Sequence, residues 1–72
     1  VHLVVRRDSG ITAPGGLVGK RVSLGEAGSG TLVHARIVLE AHGMAPEDMQ
    51  ASYLRIGEAA DGVRLGRLDA FF

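Results

Sequence analysis

The stretch "RVSLGEAGSGTLVHARIVLEAHG", Arg21 to Gly43, decides the fold. Arg21 to Leu24 reads as a short strand broken off by Gly25, and three glycines then fall within the six residues "GEAGSG". Each glycine costs roughly 0.5–1 kcal/mol against alanine in regular structure, so a cluster of them needs a backbone reason. From about Thr31 to His42 the chain has a helix-like run, and Gly43 stands where a left-handed cap belongs. The most flexible segment of the chain therefore ends at a helix start, where several backbone N–H groups have no intrahelical partner.

On either side of this stretch the elements follow from local signals. "HLVVRR", His2 to Arg7, is a short strand followed by the turn residues Asp8-Ser9-Gly10. "TAPGGLVGK" is a connection expected to be irregular. Pro46 with Glu47 and Asp48 predicts a single helical turn with proline at its first position. "ASYLRI", Ala51 to Ile56, favours a third strand, Gly57 to Arg67 a second helix weakened by Gly62, and "LDAFF" a fourth strand. Strands separated by helices run parallel through right-handed crossovers, so Arg21 to Phe72 is two successive βαβ units of an open α/β sheet. Crossovers leaving in opposite directions make "RVSL" the central strand, with "YLRI" and "DAFF" as its flanks. The loop "GEAGSG" then lies at a topological switch point, where open α/β sheets bind ligands.

The composition narrows the function. A chain of 72 residues is one domain, and at this size folding buries only roughly 60% of the unfolded surface. Eight Lys and Arg balance eight Asp and Glu, so no overall field draws in nucleic acid or an anionic membrane. The absence of cysteine removes disulfides, thiol nucleophiles and thiolate metal sites. No apolar run approaches the roughly 20 residues of a membrane span, and the first residues lack the order of a secretory signal. From Leu32 to Ala41 only His34, Arg36 and Glu40 interrupt the apolar residues. Such a helix expects cover on more than one side, from a second copy or from neighbours outside this stretch of chain.

The loop chemistry points to an anion. A helix start carries roughly half a positive charge and favours a carboxylate, phosphate or sulfate. Gly28 and Gly30 allow close approach of the backbone, while Ser29 and Thr31 either donate hydroxyls to the ligand or cap the helix. A triphosphate is a poor fit, because Thr31 stands where a P-loop requires lysine. A dinucleotide is equally poor, with Val33 in the third glycine position. His34 and His42 lie about two helical turns apart, too far to share a metal, and no nucleophile is tied to a base. Neither a metal, a cofactor nor a catalytic residue is expected, and the chain reads as a binder rather than an enzyme.

At this point the pattern "L-x-G-K-R-V-S-L-G-x-x-G-S-G-T", then a helix, "G-x-x-P-E-D" and "G-x-x-D-A-F-F", resembles the solute receptors of tripartite ATP-independent periplasmic (TRAP) transporters, in their TAXI subfamily. The resemblance covers essentially the whole chain. It implies one lobe of a type II periplasmic-binding-protein, or venus-flytrap, fold, with residues 1–72 a single α/β lobe that is the larger part of the second lobe of a receptor about four times this length. It further implies a periplasmic location, with the signal peptide outside this stretch, and a TRAP membrane permease as partner. The cargo it implies is a small organic anion such as a glutamate-like amino acid or a dicarboxylate.

In such receptors the segment matching Gly28, Ser29, Gly30 and Thr31 lines the cleft and holds a substrate carboxylate. Glu26 and the turn at Gly57 and Glu58 are the expected rim contacts. "TAPGGLVGK" departs from the family, which places a short polar helix before the "L-x-G-K" turn. Two other classes share parts of this pattern: an effector-sensing lobe of a LysR-type transcription regulator, and an enzyme domain using the same loop for a phosphate substrate. The first requires an upstream helix-turn-helix, and the second requires a base or metal cluster.

Overall fold

The computed structural model describes residues 2–72. Four short strands form one sheet: β1 (Val4–Val5), β2 (Arg21–Ser23), β3 (Gln50–Ser52) and β4 (Ala70–Phe71), in the spatial order β1-β4-β2-β3. Two helices cross between them, α1 (Gly30–Ala41) and α2 (Ile56–Arg64). β2 pairs parallel with β3 and with β4, while β1 closes the far edge antiparallel to β4. The expected βαβ-βαβ order with a central "RVSL" strand is therefore what the chain adopts.

The two right-handed crossovers run in opposite directions and put the helices on opposite faces, each covering one set of alternating side chains. Val22 and Leu24 of the central strand point to one side and meet Ala35 and Leu39 of α1, together with Leu17, Met44, Met49, Ala70 and Phe72. On the other side Phe71 meets Leu68 and Ala59 of α2. Ser23, also on the central strand, is fully buried, and its Oγ accepts the Leu54 N–H at 3.1 Å, so the pleat that seats Val22 and Leu24 does not leave an orphaned hydroxyl.

Both helices end as their glycines require. Gly43, at φ 70°, follows the last turn of α1; its N–H bonds the Glu40 carbonyl and the Met44 N–H bonds the Leu39 carbonyl, the paired bonds of a Schellman cap. Met44 and Leu39 then pack in the same cluster. Gly66, at φ 79°, repeats the arrangement after α2, with the Arg67 N–H on the Gly62 carbonyl. Gly62 inside α2 has a packing reason: a Cβ there would come within 2.8 Å of the Leu68 side chain.

Several boundaries differ from the sequence expectation: the first strand is Val4–Val5 rather than His2 to Arg7, and the fourth is Ala70–Phe71 within "LDAFF". The third strand is Gln50–Ser52 rather than Ala51 to Ile56, because β2 ends at Ser23 and offers no further ladder. Tyr53 is consequently exposed, and Ile56 opens α2, which stops at Arg64 instead of Arg67. The connection expected to be irregular contains a 3-10 helix at Pro14–Leu17, which delivers the fully buried Leu17 to the core. On α1 only Ala35 and Leu39 are buried; Val33 and Ile37, one turn apart, are exposed.

At the amino edge of the parallel strands, Arg21 is clamped to Asp69. Its guanidinium donates to both carboxylate oxygens at 3.0 and 3.2 Å and to the Gly66 carbonyl at 3.0 Å, while its backbone N–H also reaches Asp69 at 2.9 Å. These bonds join β2 to β4 and hold the Asp69 carboxyl down from 3.8 to about 2, the side-chain bonds from Arg21 being the largest cause. A depressed carboxylate contributes stability above its unfolded value, and that contribution disappears as pH falls toward the folded one. Asp69→Asn is expected to lower the urea midpoint at neutral pH, with the gap to the parent protein narrowing between about pH 4 and about pH 2. A gap that stays constant across that range excludes the clamp as its source. Gly62→Ala, which in an open helix would gain up to about 1 kcal/mol, is expected here to lose about 1 kcal/mol by overpacking against Leu68, measured by the same denaturation.

Candidate functional site

The segment between β2 and α1 folds back on the helix it leads into. Gly25, at φ 100°, lies so close to α1 that a Cβ would come within 2.8 Å of the Thr31 Cγ2 and 3.1 Å of the Leu32 nitrogen. A tight turn follows, closed by the Ser29 N–H on the Glu26 carbonyl at 3.0 Å, with Gly28 at φ 80° in its third position. Ser29 is the N-cap of α1: its Oγ accepts the Leu32 N–H at 3.2 Å. The capping alternative for a loop hydroxyl is thus realised at Ser29, whose O–H still has a proton to donate. Gly30 is the first helical residue, with no positive φ and nothing near its absent Cβ. Among the described residues no acceptor meets the N–H groups of Gly30 and Thr31.

A second helix start faces the same place. α2 begins immediately after Arg55, an N-cap residue with extended backbone and no side-chain capping bond, so its first amides are as open as those of α1. This follows from topology: β2 and β3 are parallel, and both helices leave from the carboxyl edge of the sheet. Between the two starts lies a hollow of about 230 Å³. Gly25, Glu26, Ser29 and Thr31 line it from the first loop, Leu54, Arg55 and Ile56 from the second, and Phe72 from the end of β4. Arg55 reaches across to Glu26, Nε to Oε2 at 3.7 Å, with both side chains largely exposed.

The residues singled out in the sequence are distributed unevenly around this hollow. Glu26, Ser29 and Thr31 line it. Gly28 and Gly30 shape the backbone beneath without forming its wall. Gly57 lies within the first turn of α2. Glu58 turns to a neighbouring hollow of about 400 Å³ that it shares with Ser52 and Asp61 on the α2 face of the sheet. Sequence reasoning missed Arg55. The signal was present: Arg55 directly precedes a helix that follows a parallel strand, the same position that drew attention to "GEAGSG". A larger hollow, about 790 Å³, lies at the opposite pole beside Arg6, Arg7 and Arg64. Arg6 and Arg64 are already paired there, each 3.2 Å from an aspartate. Among the described residues no three His, Cys, Asp or Glu side chains gather, and no helix is long and apolar enough to cross a membrane.

The arrangement can hold an oxyanion. Open amides at two helix starts, Ser29, Thr31 and one guanidinium border the same hollow.

The sequence profile of the NMT1-like family matches residues 1–72. Three solved structures superpose on nearly the whole chain. The periplasmic aliphatic sulphonate-binding protein SsuA from Escherichia coli is 26% identical, with a TM-score of 0.84 over 96% of this chain and 23% of that one. The alkanesulfonate-binding protein SsuA from Xanthomonas axonopodis pv. citri, bound to MOPS, is also 26% identical at a TM-score of 0.84, over 96% of this chain and 24% of its own. A protein from Methylobacillus flagellatus KT, described as the periplasmic sulfonate-binding protein SsuA of a sulfonate ABC transporter, is 23% identical with a TM-score of 0.88, over 97% of this chain and 21% of its own. This chain thus has the fold of part of a periplasmic binding protein and spans about a quarter of the length of these relatives.

The two loop glycines predict opposite outcomes. Gly25→Ala combines a positive φ with a clash against Thr31 and is expected to cost about 2 kcal/mol. Gly30→Ala, in open space at a helical φ, is expected to be neutral or to stabilise by roughly 0.5 kcal/mol. Equilibrium denaturation of both variants checks the pair, and equal effects would contradict the close approach of the loop to α1.

Proposed function

The chain belongs to the NMT1-like family, and from that premise we propose that it is one lobe of an extracytoplasmic solute receptor that binds a small organic oxyanion for uptake. The observation that carries this reading is the convergence of two helix starts and Arg55 on one hollow at the carboxyl edge of parallel strands. The anion sits against the amides of Gly30 and Thr31, the Ser29 and Thr31 hydroxyls and the Arg55 guanidinium, and no covalent step follows. Binding rather than catalysis is the role, in keeping with relatives described as binding proteins.

The cargo is first sought among alkane sulfonates. The relatives are described as sulfonate-binding, and one of them as part of an ABC transporter. They lend no support to the TRAP permease, or to the glutamate-like amino acid or dicarboxylate, that the TAXI resemblance implies. That cargo is the second reading, favoured by the G-S-G-T segment at Gly28 to Thr31. Both readings place the receptor outside the cytoplasmic membrane with a permease as its partner, and both give this chain one wall of the site.

Calorimetry on the intact receptor with ethanesulfonate, taurine, glutamate and succinate separates the two. Sulfonate binding that falls at least about tenfold in Arg55→Gln is the expected result, a charge-assisted hydrogen bond to a bound ion being typically worth about 1.5–3 kcal/mol. Saturation by sulfonates with Arg55→Gln unaffected would move the site elsewhere. Saturation by glutamate or succinate alone would favour the second reading.

A further inference from the structure

We infer that Glu26 is a charge selector that tunes the hollow to anions carrying one negative charge and rejects those carrying two. The inference rests on the oxyanion site just proposed and adds to it a role for the one acidic side chain in its wall. An acid lining an anion site is otherwise a liability, since a like charge disfavours the ligand at any distance the hollow allows. Glu26 is not withdrawn from it: the residue lines the same hollow as Ser29, Thr31 and Arg55, and its carboxylate stands 3.7 Å from the Arg55 Nε.

The charge balance gives the reason. Glu26 and Arg55 cancel, leaving two helix starts that are each equivalent to roughly half a positive charge, and Glu58 in the first turn of α2 offsets part of the second, so the hollow presents at most about one positive charge in all. One sulfonate or one carboxylate neutralises that field. A sulfate or phosphate dianion leaves one negative charge uncompensated beside Glu26. Glu58, the acid nearest in sequence to the second helix start, turns to the neighbouring hollow and leaves Glu26 as the acid in this wall.

The magnitude follows without knowing the dielectric constant. Coulomb energy is proportional to ligand charge, so removing the Glu26 charge changes the free energy of a dianion by twice that of a monoanion held in the same place. The fold-gain for the dianion is therefore about the square of that for the monoanion. Both side chains are substantially exposed, at 53% for Glu26 and 77% for Arg55, so solvent keeps each factor modest.

Methanesulfonate and methylphosphonate present the same tetrahedral head with different charge at a pH where the phosphonate is doubly ionised. Calorimetry on the intact receptor is expected to show the parent preferring methanesulfonate. Glu26→Gln should bind methanesulfonate about threefold and methylphosphonate about tenfold more tightly. Glu47→Gln, which removes an equal charge from the helical turn at the opposite edge, should leave the ratio unchanged. Equal gains for the two anions in Glu26→Gln, or the same change of ratio in Glu47→Gln, would overturn the selector while leaving the oxyanion site standing. A parent receptor that binds neither methanesulfonate nor any other anion removes the site itself, and the selector with it.

Discussion

One strand with a parallel neighbour on each side sets everything else. Because β2 pairs in the same direction with β3 and β4, each connection must travel the length of the sheet and return, and each does so as a helix. The two right-handed crossovers run in opposite directions across the sheet and so put their helices on opposite faces: α1 covers Val22, Leu24 and Ala70, and α2 covers Phe71 and Leu68. Both connections begin at the carboxyl edge. Two helix starts are thereby brought to the same edge of a sheet whose strands are only two or three residues long.

The two edges of the sheet are finished differently. At the amino edge the backbone and guanidinium of Arg21 engage Asp69 and Gly66, and the Gly19 N–H bonds the Asp48 carbonyl at 2.8 Å, so polar groups are closed on one another. At the carboxyl edge the buried Ser23 hydroxyl takes the Leu54 N–H and fixes where the chain leaves β3. Beyond that bond the amides of Gly30 and Thr31 and the Arg55 guanidinium are left facing outward. A small domain with little stability to spare can keep one edge polar and open because the other edge and both faces are closed.

Most of this was legible where a residue has few alternatives. Gly43 could only end a helix, Pro46 with two acids could only begin one, and the glycines flanking "RVSL" and "GSGT" marked a loop between strand and helix. What failed was decided by partners distant in sequence. Tyr53 and Ile56 have strand chemistry, but β2 stops at Ser23 and gives them nothing to pair with. Gly62 read as a weakness of α2 until Leu68 was found against it. In the site, Ser29 and Thr31 were visible because glycines announced the loop, whereas Arg55 follows a segment without glycine and draws meaning only from the parallel pairing that sets α2 beside α1.

The hollow itself argues for a second wall. At about 230 Å³ it is smaller than the roughly 300–1,000 Å³ of pockets that enclose 70–90% of a small ligand. Its mouth carries Ile56, 75% exposed, next to the equally exposed Arg55. An apolar side chain on the rim of a polar cradle gains nothing from water. It gains when an organic tail or an opposing surface covers it, and the same cover strengthens the Arg55 contact by excluding solvent. A headgroup held here and a tail directed away from the sheet leave most of the ligand for another surface to bury. That division is what the proposed role as one lobe of a two-lobed receptor requires, and under that proposal affinity depends on the opposing wall as much as on the residues that line this one.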